Sequence, residues 1–248
     1  MGRWSRMLAR RFIEWLDVPG NTHWLDVGCG TGALASALCR DADPASVHAC
    51  DPAAALLEHA RHTNADPRVT FVVAGTGSLP PRPGGYGSVT SLLALNFFPD
   101  VAAALREQRS LAGSGGVVSA CVWDYAGGMQ FLRRFWDAVT AGDPSAADLD
   151  EGVRFPICAP PMLTDHFDEA GLRDVTCAAI DVPTRFASFE DYWRPFLGGT
   201  GPAPSYVDAL SPSERAALAD RVQADLPKDP DGSIPLLARA WVVRGTAP

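Results

Sequence analysis

The sequence predicts an α/β fold, a parallel sheet with covering helices, and three observations predict it. Strand-like and helix-like segments alternate from residue 22 to about residue 123, as expected of consecutive strand–helix units. The first strand runs into "LDVGCGTG" (25–32), a glycine-rich turn that lets a ligand approach the main chain just before a helix. After Trp123 the rhythm is broken by two aromatic-rich insertions. In sheets of this kind the loops at the carboxyl ends of the strands carry the site.

The elements follow in order. "MGRWSRMLARRFIEWL" (1–16) reads as an amphipathic helix, with Arg3, Arg6, Arg10 and Arg11 as a solvated basic face. "THWLDVG" (22–28) is strand one, "GALASALCRD" (32–41) a helix, and "SVHAC" (46–50) a short buried strand ending at Asp51. "AAALLEHARH" (53–62) is helical, and the β-branched and aromatic run "VTFVVA" (69–74) is strand three. "SVTSLLAL" (88–95) is strand four, "DVAAALREQRSLA" (100–112) a helix stopped by "GSGG", and "VVSACVW" (117–123) strand five. The first insertion, "AGGMQFLRRFWDAVTA" (126–141), looks helical and precedes the helix "PMLTDHFDEAGL" (161–172). Strand six follows near 174–182. About fifty residues, including "FEDYWRPFLGGTGPAP", then separate it from a last strand, "LLARAWVVRG" (236–245). The reading is one domain over 1–248, with 1–18, 126–158 and 187–233 as capping elements.

Composition removes several function classes. The chain is 47% hydrophobic and 20% charged, and no segment approaches the ~20 apolar residues of a membrane span. The N-terminus lacks the continuous apolar core and cleavage site of a signal peptide, so a cytoplasmic location is expected. The net charge of −8 argues against a nucleic-acid partner, which requires a broad positive surface. The six cysteines form no C-x-x-C pair and read as reduced, buried side chains; no metal site is expected. Arginine replaces lysine almost everywhere, Lys228 being the one lysine, which points to a GC-rich bacterial genome.

The glycine spacing leaves two ligands open. Gly28, Gly30 and Ala33 satisfy the dinucleotide fingerprint, and Asp51 stands where an acid would meet a ribose. The chain could thus be an NAD(P)-dependent oxidoreductase, or a non-catalytic cofactor binder. Asp26, just before the glycines, suits an ammonium group and repels a pyrophosphate. A Tyr-x-x-x-Lys pair is impossible, because Ala224 stands four residues before the only lysine. No Gly-Lys pair exists for a phosphate-binding loop of the Walker type.

Together, "LDVGCGTG" (25–32), "CDP" (50–52) and "LALNFFPD" (93–100) resemble the class I S-adenosylmethionine-dependent methyltransferase family, and in particular bacterial small-molecule methyltransferases of types 11 and 25. The resemblance implies a Rossmann-like, seven-stranded, mostly parallel sheet in the order 3-2-1-4-5-7-6. Its last strand is antiparallel, with helices on both faces and a helical lid. It implies S-adenosylmethionine as cofactor, S-adenosylhomocysteine as product, no metal, and methylation of a small organic acceptor at O, N or C, in bacterial secondary metabolism. The protein would be a monomer or homodimer, with neither nucleic acid nor membrane as partner. Main chain at Gly28, Cys29 and Gly30 would meet the methionine and ribose parts, with Asp26 near the ammonium. Asp51, followed by Pro52, would accept from both ribose hydroxyls, and Leu92 and Leu93 would offer backbone groups. Where the family has an acid for the adenine amine, this chain has Gly75, so either Thr76 or main chain takes that contact or the adenine is held less tightly. On the acceptor side the first residues after strand five, Asp124 and Tyr125, are the candidates for a general base. Trp4, Phe131, Trp136, Tyr192, Trp193 and Phe196 would wall the acceptor site with aromatic faces.

Overall fold

A computed structural model describes residues 2–198 and 201–248. Of the segments expected to cap the site, residues 1, 199 and 200 lie outside the described residues. The chain begins with helix α1 (Gly2–Leu16) and strand β1 (His23–Val27), then α2 (Ala33–Asp41), β2 (Ser46–Asp51), α3 (Ala54–Thr63), β3 (Val69–Val73) and β4 (Tyr86–Leu92). A 3-10 turn (Leu95–Phe97), α4 (Val101–Leu111) and β5 (Ala112–Trp123) complete the regular half. There follow α5 (Gln130–Gly142), α6 (Glu151–Arg154), α7 (Pro160–Glu169), β6 (Arg173–Phe186), α8 (Phe189–Trp193), α9 (Pro202–Ala209), α10 (Pro212–Asp225) and β7 (Ile234–Thr246).

The seven strands form one sheet in the order β3-β2-β1-β4-β5-β7-β6, as the resemblance implies. β3, β2, β1, β4 and β5 pair in parallel. β7 enters antiparallel: Gly115 N–H donates to Ala247 O at 3.0 Å and Ala247 N–H to Gly116 O at 2.8 Å. The register sets Val27 beside Cys50 and Asp26 beside Thr90. The ends of β1, β2 and β4 therefore share one edge of the sheet.

Two compact units divide the chain. The first comprises residues 1–122, 159–180 and 241–248, the second 123–158 and 181–240. In the first, Trp24, Leu25, Val47, Tyr86, Val89 and Val118 fill the sheet's core. Helix α1 buries Trp4, Leu8, Phe12 and Leu16, one residue per turn, as an amphipathic helix must. In the second, α5 presents Phe131, Phe135, Trp136 and Val139 to an aromatic core. Phe135 and Phe196 stack at 4.4 Å between ring centroids, and Phe131 and Phe196 at 4.7 Å. Arg133 on α5 binds both oxygens of Asp150 at 2.5 and 2.6 Å, and Asp150 also accepts from Gly152 N–H at 2.7 Å, so one buried acid ties α5 to the start of α6.

Several boundaries differ from expectation for local reasons. Strand four, expected to run to residue 95, stops at Leu92, because Leu93 turns left-handed with φ 60°. The helix expected from 126 begins at Gln130. The side chain of Asp124 accepts from Gly127 N–H at 3.1 Å and its carbonyl accepts from Met129 N–H at 2.8 Å, folding 124–129 into a turn. Strands five, six and seven all extend beyond their expected limits.

Candidate functional site

The three glycines of the 25–32 turn all have positive φ, 75° at Gly28, 53° at Gly30 and 80° at Gly32, which L side chains rarely adopt. Their surroundings differ. A Cβ on Gly28 would sit 2.5 Å from the Cβ of Ala94, and one on Gly32 would meet Ala60 at 3.3 Å and Phe71 at 3.5 Å. A Cβ on Gly30 would meet nothing within 4 Å. Gly28 is therefore required by contact with the protein itself, Gly32 by its backbone conformation and a tight neighbour, and Gly30 faces open space. Gly28→Ala is expected to lower stability by about 2 kcal/mol or more, from backbone strain plus the clash. Adding Ala94→Gly should restore only the clash part, read from denaturant midpoints.

Hydrogen bonds fix the turn against β2. The N–H groups of Gly28 and Cys29 both donate to Cys50 O, at 2.8 and 2.9 Å. Gly30 N–H donates to Asp51 Oδ2 at 2.9 Å, and Ala53 N–H donates to Asp51 Oδ1 at 2.9 Å. Asp51 thus also acts as a local cap before α3. Each of its oxygens has received one donor, leaving lone pairs for two more hydroxyl donors. Helix α2 starts after Gly32 with no side-chain cap, so its first N–H groups stay available.

A cavity of about 530 Å³ opens over this turn, lined by Asp26, Gly28, Cys29, Gly30, Leu92 and Leu93 from the expected set. Ser5 and Arg6 of α1, Thr31, and Arg40 and His59 of α2 and α3 also line it. Leu93 N–H donates to Cys121 O at 2.7 Å, which holds its left-handed turn in place. Asp26 is fully buried, and neither carboxylate oxygen has a hydrogen-bond partner. Burial first, and the charge of Asp51 second, raise its pKa to about 7; the Ala35 amide tempers this without making a hydrogen bond of normal geometry. A buried acid without a partner costs free energy unless a donor or cation reaches it. Cys29 is no nucleophile: burial, then Asp26 and Asp51, push its thiol far up.

Asp51, Pro52, Gly75 and Thr76 do not line this cavity; Asp51 borders it through its bond to Gly30 N–H. A Cβ on Gly75 would touch Pro52 at 3.6 Å, so these two residues are neighbours. The loop after β3 is held instead by Glu107 of α4, whose carboxylate accepts from Gly77 N–H at 2.6 Å and Leu79 N–H at 3.1 Å. Nothing local in the sequence connects Glu107 to that loop.

The residues expected on the acceptor side fall as follows. Trp4 is buried on the inner face of α1, and its neighbours Ser5 and Arg6 line the cavity in its place. In the second unit Asp124 serves the turn described above. Tyr125 lies 5.5 Å from the Phe155 ring, its phenol pushed up by burial and then by the charges of Cys158 and Glu151. Phe131, Tyr192 and Phe196 pack on one another, Trp193 packs on Phe135 and Phe196, and Tyr192 Oη donates to Phe131 O at 2.8 Å. Trp136 Nε1 donates to Glu151, a buried acid whose pKa is raised by burial. Sequence reasoning missed Glu151, since an acid in a polar loop gives no sign of being buried.

The donor set fits S-adenosylmethionine. An orphaned carboxylate matches an ammonium, the pinned Asp51 matches two ribose hydroxyls, and Gly30 leaves room for the ligand against the main chain. A pyrophosphate would meet the Asp26 charge instead. Among the described residues no group of three His, Cys, Asp or Glu side chains could hold a metal, and no helix is long and apolar enough to cross a membrane.

Comparison with known proteins agrees. A family profile described as a methyltransferase domain matches residues 25–116. A malonyl-[acyl-carrier protein] O-methyltransferase from Halorhodospira halophila is 29% identical over 98% of this chain and 82% of its own length. The crystal structure of the YcgJ protein from Bacillus subtilis superposes with a TM-score of 0.62 at 17% identity, covering 98% of each chain. Phosphoethanolamine N-methyltransferase 2 from Haemonchus contortus, solved with S-adenosyl-L-methionine, gives 0.60 at 14% identity over 98% of this chain and 52% of its own. The matched segment includes the glycine turn, the Asp51 strand end and the β4 edge, and over these residues the chain carries a methyltransferase domain.

Proposed function

We propose that this methyltransferase moves the methyl group of S-adenosylmethionine to a small organic acceptor, at O, N or C, in bacterial secondary metabolism. The observation that carries the cofactor side is the unpartnered, fully buried carboxylate of Asp26 on the wall of the glycine cavity. The bound sulfonium supplies an already activated methyl group. The chain's own task is to hold cofactor and acceptor in line and exclude water, which can contribute up to about 7–11 kcal/mol. Gly30 and Asp51 hold the nucleoside, and Leu92 and Leu93 border the methionine part. On the acceptor side the same reading assigns Asp124 and Tyr125 to proton handling, needed only if the acceptor is an alcohol or phenol. It assigns Phe131, Trp136, Tyr192, Trp193 and Phe196 of the second unit to an apolar surround. The acidic net charge of −8 favours a small acceptor over a nucleic acid.

A second reading places the acceptor on a carrier protein as a carboxylic acid, because the Halorhodospira relative named for that activity aligns along almost the whole chain. The test is incubation with methyl-labelled S-adenosylmethionine, with a metabolite pool in one arm and malonyl-acyl carrier protein in the other. Label in a small molecule, with release of S-adenosylhomocysteine, supports the first reading. Label in the carrier protein supports the second, and no product in either arm defeats both.

A further inference from the structure

The loop after β3 is shaped by Glu107, a side chain that does not line the cavity. Six consecutive amides run from Ala74 to Leu79, and four of them are tied. Ala74 N–H donates to Asp51 O at 3.3 Å and Ser78 N–H to Gly75 O at 3.1 Å, while the Glu107 carboxylate accepts from Gly77 N–H at 2.6 Å and Leu79 N–H at 3.1 Å. Among the described residues no protein group accepts from the amides of Gly75 and Thr76. Two glycines in three residues make such a loop costly to order, and Gly77 is left-handed at φ 89°, so the clamp decides its conformation. The platform under the clamp is firm. Asp100 caps α4 by accepting from Ala103 N–H at 2.8 Å, and the helix buries Ala104, Leu105 and Gln108. The two free amides adjoin the acid assigned to the ribose: Asp51 pairs with Val73 at the end of the β2–β3 ladder, and Pro52 lies beside Gly75.

We infer that Glu107 is a positioning residue for the base of the cofactor: by fixing the loop, it aims the amides of Gly75 and Thr76 at the acceptor nitrogens of the adenine. The assignment rests on the S-adenosylmethionine reading, in which Asp51 holds the ribose and the base lies beside it. It gives the glycine at position 75 a consequence. With no acid there for the exocyclic amine, discrimination of the base falls to main-chain donors, and these discriminate only when they are held still. A carboxylate suits the task because each oxygen takes one amide in a charge-assisted bond. A glutamine in its place can accept at one oxygen only.

Calorimetry with two probes tests it. S-adenosylhomocysteine and S-inosylhomocysteine differ only in the base: N1 of adenine accepts a hydrogen bond, whereas N1 of hypoxanthine carries a proton and an oxygen replaces the amine. The wild-type protein should prefer S-adenosylhomocysteine by about 10- to 100-fold, the range for a buried donor left facing another donor. Glu107→Gln should weaken S-adenosylhomocysteine about tenfold and change S-inosylhomocysteine by less than about twofold, so the preference falls about tenfold. Glu107→Asp keeps the charge but is one methylene too short to span both amides, and should do the same. A second measurement needs no substitution: in the wild-type protein the amides of residues 75 and 76 should gain protection from hydrogen exchange when S-adenosylhomocysteine binds. Equal losses on both ligands, with a lowered melting temperature, would mean that Glu107 only supports the fold. A wild-type preference below threefold, or no gain of protection at 75 and 76, would mean that the loop does not read the base. Each of these outcomes overturns the assignment. A wild-type protein that binds neither ligand would instead defeat the cofactor reading, and the role of Glu107 with it.

Discussion

Replacing Asp51 by alanine is expected to weaken S-adenosylmethionine binding by about 3–4 kcal/mol, two to three orders of magnitude, in a chain that still folds. On the proposed reading two charge-assisted bonds to the ribose are lost together. The carboxylate also holds Gly30 N–H and Ala53 N–H at 2.9 Å each, so its removal loosens the glycine turn. The stability cost should be about 1–3 kcal/mol, because Asp51 is buried and two amides lose their acceptor. Asp51→Asn is the sharper control: it keeps the shape but can accept at one oxygen only. Titration of each variant by calorimetry reads the effect. An affinity within threefold of wild type for Asp51→Ala would remove Asp51 from the cofactor site.

The second large effect concerns Asp26 and runs in two directions. Its folded-state pKa is raised from 3.8 to about 7. An acid with a raised pKa keeps its proton in the folded chain while the unfolded chain has already lost it. Stability of the cofactor-free protein therefore falls as pH rises from about 4 to about 7, by up to about 4 kcal/mol in all. Asp26→Asn cannot ionise and escapes that loss. The cofactor-free variant should match wild type near pH 4 and exceed it by about 2–4 kcal/mol at pH 8, measured by denaturant unfolding across the range. The same substitution removes the negative charge that the proposed reading sets opposite the cofactor's ammonium, so binding at pH 7 should weaken by about 10- to 100-fold. A variant less stable than wild type at pH 8 would show that Asp26 has a partner in the folded protein. The pattern expected is the trade of stability for function common at binding sites.

Much of this site could be read from the sequence because its parts are local. Asp26, Gly28, Gly30 and Asp51 lie at strand ends, where period and glycine content announce them. The strand order came with the resemblance carried by the same motifs. What escaped depended on distance or on backbone geometry. Leu93 is left-handed without being glycine, so "SLLAL" reads as continuous strand. Glu107 reaches a loop 28 and 30 residues before it, a pairing no periodicity encodes. Arg6 reads as one more arginine on a wet helix face until the cavity beside it is seen. The aromatic residues of the second unit carry the same hydrophobic pattern whether they line a site or fill a core. The mutual stacking of Phe131, Phe135 and Phe196 is visible only in three dimensions.

The unequal surroundings of the three glycines bear on how substitutions would behave inside a living cell. A side chain at position 28 collides with Ala94, and one at position 32 is tight against Ala60, both on backbone that resists a Cβ, so such variants should be depleted from the soluble pool through misfolding and proteolysis. A methyl group at position 30 meets no protein atom within 4 Å and bears only the backbone strain. Alanine there would accumulate to levels nearer the wild type and yet stand where the proposed reading puts the cofactor. A library scored separately for protein abundance and for methyl transfer would sort the glycines accordingly, two limited by abundance and the third by the guest it accommodates.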